Sequence, residues 1–312
     1  MTSIVIGGGS GFVGRALISK LRANNFNVRV VSRKPTGKND LSWQTVTACG
    51  LPKDTEVVVN LSGRSIAEIN PKFLIPSVYR DYLAEVRSSR IKTTKLLANN
   101  LPEATKKFVN ASAIGFYKPD LSKTYTEDSP YEDYDFLTRL CRDWEAAAFV
   151  PESRTVHSIR VRIGVVLARD APFLSSLYNA HRMGLGGPIG SGKQWLSWIH
   201  LADLVDLFYF LITQPTVAGS DAFNGTAPNP VRQAAFSRAL SESLGAPMAG
   251  CVRTPSVVMR LLLGGDRAAM ALEGQRVLPE RALSQGFQFR FPTLESALED
   301  IYGRRPSPVP TN

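Results

Sequence analysis

One stretch near the start limits the fold more than any other. Ser3–Gly7 (SIVIG) is a short apolar, β-branched run closed by glycine, and reads as a fully buried strand. GGSGFVG follows: Gly8, Gly9, Ser10, Gly11, Phe12, Val13 and Gly14. RALISKLRANN then places Ala16, Leu17, Leu21 and Ala23 on one apolar helical face. NVRVVS, Asn27–Ser32, reads as a second strand, which completes a βαβ unit. The glycines have distinct roles in such a unit. Gly8 and Gly11 allow a tight turn and close backbone approach to a pyrophosphate, and Gly14 lets helix and strand pack closely. The helix start offers unpaired N–H groups and a positive dipole end to the phosphates. Glycines alone are weak evidence; glycines between a strand and a helix are strong.

The end of the second strand selects the dinucleotide. A carboxylate there would bind a ribose 2′-hydroxyl, as NAD requires. Ser32, Arg33 and Lys34 stand there instead, which suits the 2′-phosphate of NADP(H). A third apolar run, Glu56–Gly63, ends in Asn60-Leu61-Ser62-Gly63, small residues suited to line a crevice at the carboxyl end of a parallel strand. Arg80–Asn100 reads as a long helix and Lys106–Ser112 as a fourth strand. Strands alternating with helices predict an α/β fold, a Rossmann-type doubly wound parallel sheet.

Composition excludes several classes. The chain of 312 residues is 44% hydrophobic and 21% charged, which is globular and not disordered. No apolar run reaches the roughly 18–20 residues needed to cross a bilayer. The most apolar stretch, Leu201–Ile212, contains Asp203 and Asp206 and reads as a buried helix. The three cysteines and three histidines are scattered, so neither a metal site nor a disulfide framework is expected. The net charge of +10 is spread along the chain, giving no direct sign of nucleic-acid or membrane binding. No targeting peptide is visible ahead of the first strand, so the expected location is the cytoplasm or the mitochondrial matrix.

Together these segments resemble an extended short-chain dehydrogenase/reductase of the nucleoside-diphosphate-sugar epimerase type. GGSGFVG, NLSG, TTKLLANNL, ASAIGFY and WIHLADLVD carry the resemblance. A closer resemblance is to the atypical 39U class of epimerase family proteins. It rests on SRKP, NLSG, EDSP, WEAAA, GLGGPIGSGKQ and LEGQRVLPERALSQGFQF, and runs from the first strand to about Ile301. The resemblance implies NADP(H) binding, with Gly8–Gly14 on the pyrophosphate and Ser32 and Arg33 on the 2′-phosphate. Leu61 and Ser62, followed by Gly63, would lie by the adenosine. Glu85 and Arg90 match cofactor-contacting positions, although by themselves they read as a solvated helix face. Val166, in IGVV, would approach the nicotinamide.

The same resemblance exposes a departure. A competent member has Tyr-x-x-x-Lys on a helix, the lysine one turn on lowering the tyrosine pKa. The matching positions here are Asp135 and Arg139, and a shift of one gives Tyr134 and Thr138. Ser112 occupies the position of the carbonyl-orienting hydroxyl. Arg139 can hold a ribose or phosphate, but is permanently charged. Asp135 could be a base, but with an ordinary pKa of about 4 is a poor donor at neutral pH. Tyr117 is the nearby tyrosine that could substitute, and also reads as a packing aromatic. Two functions therefore stand: an NADP(H)-dependent oxidoreductase or epimerase-like enzyme acting on an unknown small-molecule substrate, or a catalytically silent NADP(H)-binding structural, regulatory or assembly subunit of a larger complex.

Gly187-x-x-x-x-Gly192-Lys193 imitates a phosphate-binding P-loop, but Gln194 replaces the magnesium-binding hydroxyl and no strand precedes it. It reads as a loop of the substrate region, where Lys193 could meet an anionic substrate. The expected domains are 1–167, completed by about 198–226, for the cofactor, and 168–197 with 227–301 for the substrate. His200 and Asp203 are expected to fix the connection between them. A helix ending near Gly245 is expected in Phe236–Pro247, and further helices over Pro255–Gly265 and Arg267–Pro279. Residues 302–312 are expected to be disordered.

Overall fold

The computed structural model describes residues 2–310 except 67, 69, 152–154, 216–220, 247–252, 258, 260–267, 270 and 271. In chain order the described elements begin β1 (Ser3–Gly7), α1 (Phe12–Ala23), β2 (Asn27–Ser32), β3 (Leu41–Ser42), α2 (Trp43–Cys49), β4 (Val57–Asn60), α3 (Pro76–Asn99) and β5 (Lys107–Ala113). They continue with β6 (Thr124–Tyr125), α4 (Phe136–Ala147), β7 (His157–Ile163), β8 (Val165–Leu167), α5 (Pro172–Arg182), β9 (Trp195–Leu196), β10 (Trp198–His200) and α6 (Leu201–Thr213). Last come β11 (Ala222–Gly225), β12 (Val231–Arg232), α7 (Gln233–Ser243), β13 (Arg276–Val277), α8 (Glu280–Ser284) and α9 (Leu294–Tyr302).

The chain divides into two compact units: residues 1–116, 137–162 and 205–223, and residues 117–136, 163–204 and 224–312. The seven-stranded sheet runs β11-β7-β5-β4-β1-β2-β3. β1 pairs parallel with β2 and β4, setting Ile6 against Val30 and Val59, and β4 pairs parallel with β5. This is the doubly wound order expected, and it opens a crevice at the carboxyl ends of β1 and β4, where the winding reverses. Apolar side chains from both faces of these strands are buried, as a sheet covered by helices requires. Val5, Val31, Val58 and Phe108 share a core with Leu97 and Ala98 of α3. At the strand ends the core becomes polar. Asn60 Nδ2 donates to Thr94 Oγ1 and Asn110 Oδ1, each at 2.8 Å, and Trp144 Nε1 donates to Thr94 Oγ1 at 3.0 Å.

The second unit has its own core, with Leu167, Leu174, Trp198, Phe236, Leu240, Leu294 and Leu298 at its centre. Short strands pair locally: β8 with β10, β9 with β12, and β6 with β13. The Asp203 carboxylate, fully buried, accepts the backbone N–H of Arg290 at 2.8 Å and of Phe291 at 3.0 Å.

Four expectations change. Residues 117–136, 163–167 and 198–204 group with the second unit, because β6, β8 and β10 find their strand partners there. The tail is ordered through Pro310: Ser307 N–H donates to Glu242 Oε2 at 2.7 Å, Val309 N–H donates to Glu295, and Val309 packs on the core. The helix expected in Phe236–Pro247 begins earlier, at Gln233, and ends at Ser243, close to the expected stop at Gly245, which has φ +77°. The helix expected over Arg267–Pro279 does not reach its expected end, since Arg276–Val277 is strand β13, and most of the helix expected over Pro255–Gly265 falls outside the described residues, as does Cys251. No helix among the described residues is long and apolar enough to cross a membrane.

Candidate functional site

The glycine loop has the geometry its sequence demands. Gly8 adopts φ +76°, and a Cβ there would lie 2.7 Å from the Leu61 carbonyl and the Ser62 nitrogen. A Cβ on Gly14 would lie 2.6 Å from the Gly8 oxygen and 2.7 Å from Gly9 Cα. Gly11 N–H donates to Gly8 O at 3.0 Å and closes the turn. Gly11 caps α1 without a side-chain bond, so no side chain competes for the first-turn N–H groups, with half-buried Phe12 and Val13 leading the helix. Ser62 is buried and its hydroxyl has no partner.

Beside this loop the first unit holds a cavity of about 570 Å³, lined by Gly9, Ser10, Arg15, Ile18, Ser19, Arg22, Val30, Ser32, Lys34, Thr36 and Asp40. Arg15, Ser19 and Arg22 project from one face of α1, being three to four residues apart. Ser32 and Lys34 come from the end of β2, as the sequence indicates. Arg33 is exposed and lies outside the cavity lining. The sequence reading missed Arg15, Arg22 and Asp40. Asp40 accepts from Val30 N–H at 3.0 Å and from Gly37 N–H at 2.8 Å, so its carboxylate pins the loop after β2.

Glu85 is exposed, as a solvated helix face would be, whereas Arg90 is half-buried. Glu85 pairs with Arg64, which also holds Glu68 at 3.1 Å. Arg90 donates to the carbonyls of Arg64 at 2.8 Å and Val86 at 3.0 Å, and its guanidinium carbon lies 5.0 Å from the Trp144 ring centroid. Burial pushes the Arg90 pKa down, while the cation stays charged at neutral pH. A Cβ on Gly63 would lie 3.0 Å from that guanidinium, so Gly63 makes room for it.

The candidate catalytic residues divide between the units. Ser112, 2% exposed at the end of β5, donates its hydroxyl to Glu145 Oε1 at 2.7 Å. Arg162 grips the same carboxylate twice, Nε to Oε1 at 2.8 Å and Nη2 to Oε2 at 2.9 Å, and lies 3.6 Å from the Phe116 ring centroid. Glu145, from WEAAA, was not singled out as a partner. Cys141, buried nearby, has its pKa pushed up to about 12 by burial, and further by Glu145. Arg139 is exposed on α4.

Tyr117, Asp135 and Val166 belong to the second unit. Tyr117 is 1% exposed, with its hydroxyl 2.8 Å from Asn224 Oδ1 and 3.0 Å from Thr126 O, and its ring stacked on Tyr125. Asn224 N–H donates to Glu127 Oε1 at 2.9 Å, and burial raises the pKa of that carboxyl. Asp135 is half-buried and immediately precedes α4, which starts at Phe136, so it is not on the helix where the tyrosine position was placed. Val166 pairs with Ile199 between β8 and β10. Lys193, from the imitation P-loop, is followed by strand β9 and not by a helix, so that loop lacks a helical phosphate cradle.

With this geometry the comparisons with known proteins agree. The profile of the NAD dependent epimerase/dehydratase family matches residues 4–224, and that of a domain of unknown function (DUF1731) matches residues 254–301. The chain belongs to the NAD-dependent epimerase/dehydratase family of short-chain dehydrogenase/reductase proteins. Within it the likeness is to the SDR39U1 type. The epimerase family protein SDR39U1 of Homo sapiens is 39% identical over 301 residues, 96% of this chain and 99% of that protein. The crystal structure of human SDR39U1 (isoform2) with NADPH matches with a TM-score of 0.88 at 37% identity, covering 97% of this chain and 100% of that one. A chloroplastic SDR39U1 homologue of Arabidopsis thaliana is 34% identical, over 96% of this chain and 86% of that protein. The expected family and the doubly wound fold are thus borne out.

Proposed function

We propose that this protein is an NADP(H)-dependent oxidoreductase or epimerase-like enzyme whose proton transfer does not use a Tyr-x-x-x-Lys pair. The cavity carries the cofactor assignment: Arg15, Arg22 and Lys34 bring three cations to a space bounded by Gly9, Ser10 and Ser32. That set fits a 2′-phosphate, and the glycine cradle that any Cβ would fill fits a pyrophosphate. The unpartnered Ser62 hydroxyl supplies a donor on the adenosine side. When bound, the nicotinamide gives or takes a hydride. This chain's residues bind and orient it. Ser112 and Glu145, clamped by Arg162, form the polar group at the end of β5. The SDR39U1 relative whose structure holds NADPH supports the same choice of dinucleotide.

The second reading, a silent NADP(H)-binding subunit of a larger complex, draws on the hydroxyls: Tyr117 is buried against Asn224 and Thr126, and Ser112 already serves Glu145. The expected locations are cytoplasm or mitochondrial matrix, and the chloroplastic relative adds the plastid. One experiment tests both. Small molecules released from undialysed protein are identified by mass spectrometry, and NADPH and NADH are titrated. Retained NADP(H) with turnover on a carbonyl substrate supports the enzyme. Retention without turnover across a broad carbonyl screen supports the silent subunit. Failure to bind either dinucleotide refutes the cofactor assignment.

A further inference from the structure

A second charged arrangement belongs entirely to the second unit. Trp195 is 4% exposed, and its Nε1 donates to the Leu121 carbonyl at 3.0 Å. Two arginines lie on its ring. The guanidinium carbon of Arg232 is 3.7 Å from the ring centroid and that of Arg276 is 4.9 Å from it. An indole attracts each cation, but two like charges on one ring repel each other. Several half-buried or buried arginines have carboxylates, Arg29 with Asp54, Arg162 with Glu145 and Arg281 with Asp128, while Arg90 rests on two carbonyls and the Trp144 ring. Arg232 and Arg276 have no carboxylate among the described residues. Arg232 donates to two backbone carbonyls, Lys193 O at 2.6 Å and Leu121 O at 3.1 Å. These orient the guanidinium and leave its charge uncompensated. Burial, and then the charge of Arg276, depress the Arg232 pKa. Arg276 Nε is buried and has no hydrogen-bond partner.

We propose that Arg232 and Arg276, seated on Trp195, form a subsite for an oxyanion group of the substrate, a carboxylate or a phosphoryl group. A guanidinium fork donates two parallel N–H bonds to either, and an arriving anion relieves the repulsion between the two cations. Lys193, whose carbonyl anchors Arg232, is exposed on the loop ahead of β9. The subsite deepens the enzyme reading by naming the substrate's chemistry, and rests on that reading only in assigning the anion to a substrate.

Calorimetric titration of the full chain with inorganic phosphate and with succinate, each with and without saturating NADPH, tests the subsite. The expected result is one saturable site for at least one anion that persists under NADPH, weakened about tenfold or more by Arg232→Gln and by Arg276→Gln. Phosphate alone identifies a phosphoryl group, and succinate alone a carboxylate. Anion binding without NADPH binding overturns the cofactor assignment and supports the subsite. Either anion should also protect Arg232 and Arg276 from phenylglyoxal, read by mass spectrometry on the unsubstituted chain, which tests the same site without a variant. No saturable site for either anion, unchanged affinity in both glutamine variants, or no protection overturns the proposal.

Discussion

Replacing Glu145 with alanine should destabilise the first unit more than any surface change could. The side chains of Glu145 and Arg162 are 10% and 7% exposed, and joined by two hydrogen bonds of 2.8 and 2.9 Å. Glu145→Ala leaves the Arg162 guanidinium without its carboxylate against the Phe116 ring, and the Ser112 hydroxyl without its acceptor. Breaking a buried pair from one side costs about 3–5 kcal/mol, because the remaining charge stays desolvated. The lost hydroxyl acceptor adds about 1 kcal/mol. A loss of about 4–6 kcal/mol is a large share of the roughly 5–15 kcal/mol that holds a typical domain. Two units need not unfold together, so the assay is urea-dependent hydrogen exchange at Lys107–Ala113, which reads the first unit directly. With a slope of about 3 kcal/mol per molar urea, the midpoint falls by about 1.3–2 M. The double variant Glu145→Leu/Arg162→Met separates the causes. An apolar pair of similar volume is often as stable as a buried ion pair, so it should recover most of the loss. A single-variant loss below about 1 kcal/mol, or a double variant no better than the single, would refute the argument.

Three further outcomes follow from particular groups. Lys34→Ala should weaken NADPH binding by about tenfold or more and NADH binding little, measured by fluorescence titration; equal losses would remove Lys34 from the 2′-phosphate. Arg33→Ala, outside the cavity lining, should cost less than Lys34→Ala. At pH 8 iodoacetamide should label exposed Cys49 within minutes and leave Cys141 unmodified until the chain unfolds, because burial lifts that thiol to about 12; peptide mass spectrometry reads both. Burial lowers the pKa of His181 and His200 from 6.5, so the fold favours neutral imidazole. Their contribution is full above about pH 6.5 and is lost as pH falls through the depressed folded values, and His181→Gln should flatten that part of a denaturation-against-pH curve.

The first βαβ unit was legible because its signals are local: a period, a glycine spacing and an apolar run lie within thirty residues. Ser32 and Lys34 were found for the same reason. Arg15 and Arg22 were not, since a cation on a helix reads as a solvated surface until the neighbouring loop encloses it. The i, i+4, i+7 spacing of Arg15, Ser19 and Arg22 was the available signal. Asp40 was invisible because its task is to bind backbone N–H groups of a loop whose shape no pattern encodes. Ser112 was placed correctly at the end of a strand, but its partner Glu145 lies 33 residues on. Asp135 was assigned to a helix that begins one residue later, at Phe136, because a helix boundary is set by backbone hydrogen bonds that no side-chain pattern fixes to the residue. The tail was expected to be disordered from its prolines, yet two backbone N–H groups find carboxylates on α7 and α9.

The buried amine of Lys107 ties β5 to a segment made much later. Its Nζ donates to the carbonyls of Leu211 at 2.8 Å and Gln214 at 2.6 Å, at the end of α6. Burial alone lowers its pKa, so a β5 sheathed without α6 would hold an ammonium with neither water nor carbonyl. During synthesis the central strands therefore leave the ribosome well before the carbonyls that complete them. Residues 117–136 and 163–204, which belong to the other unit, must be made in between. The first unit stays open while some sixty residues of its companion pass by, and a message truncated ahead of Val205 encodes a sheet that cannot be closed.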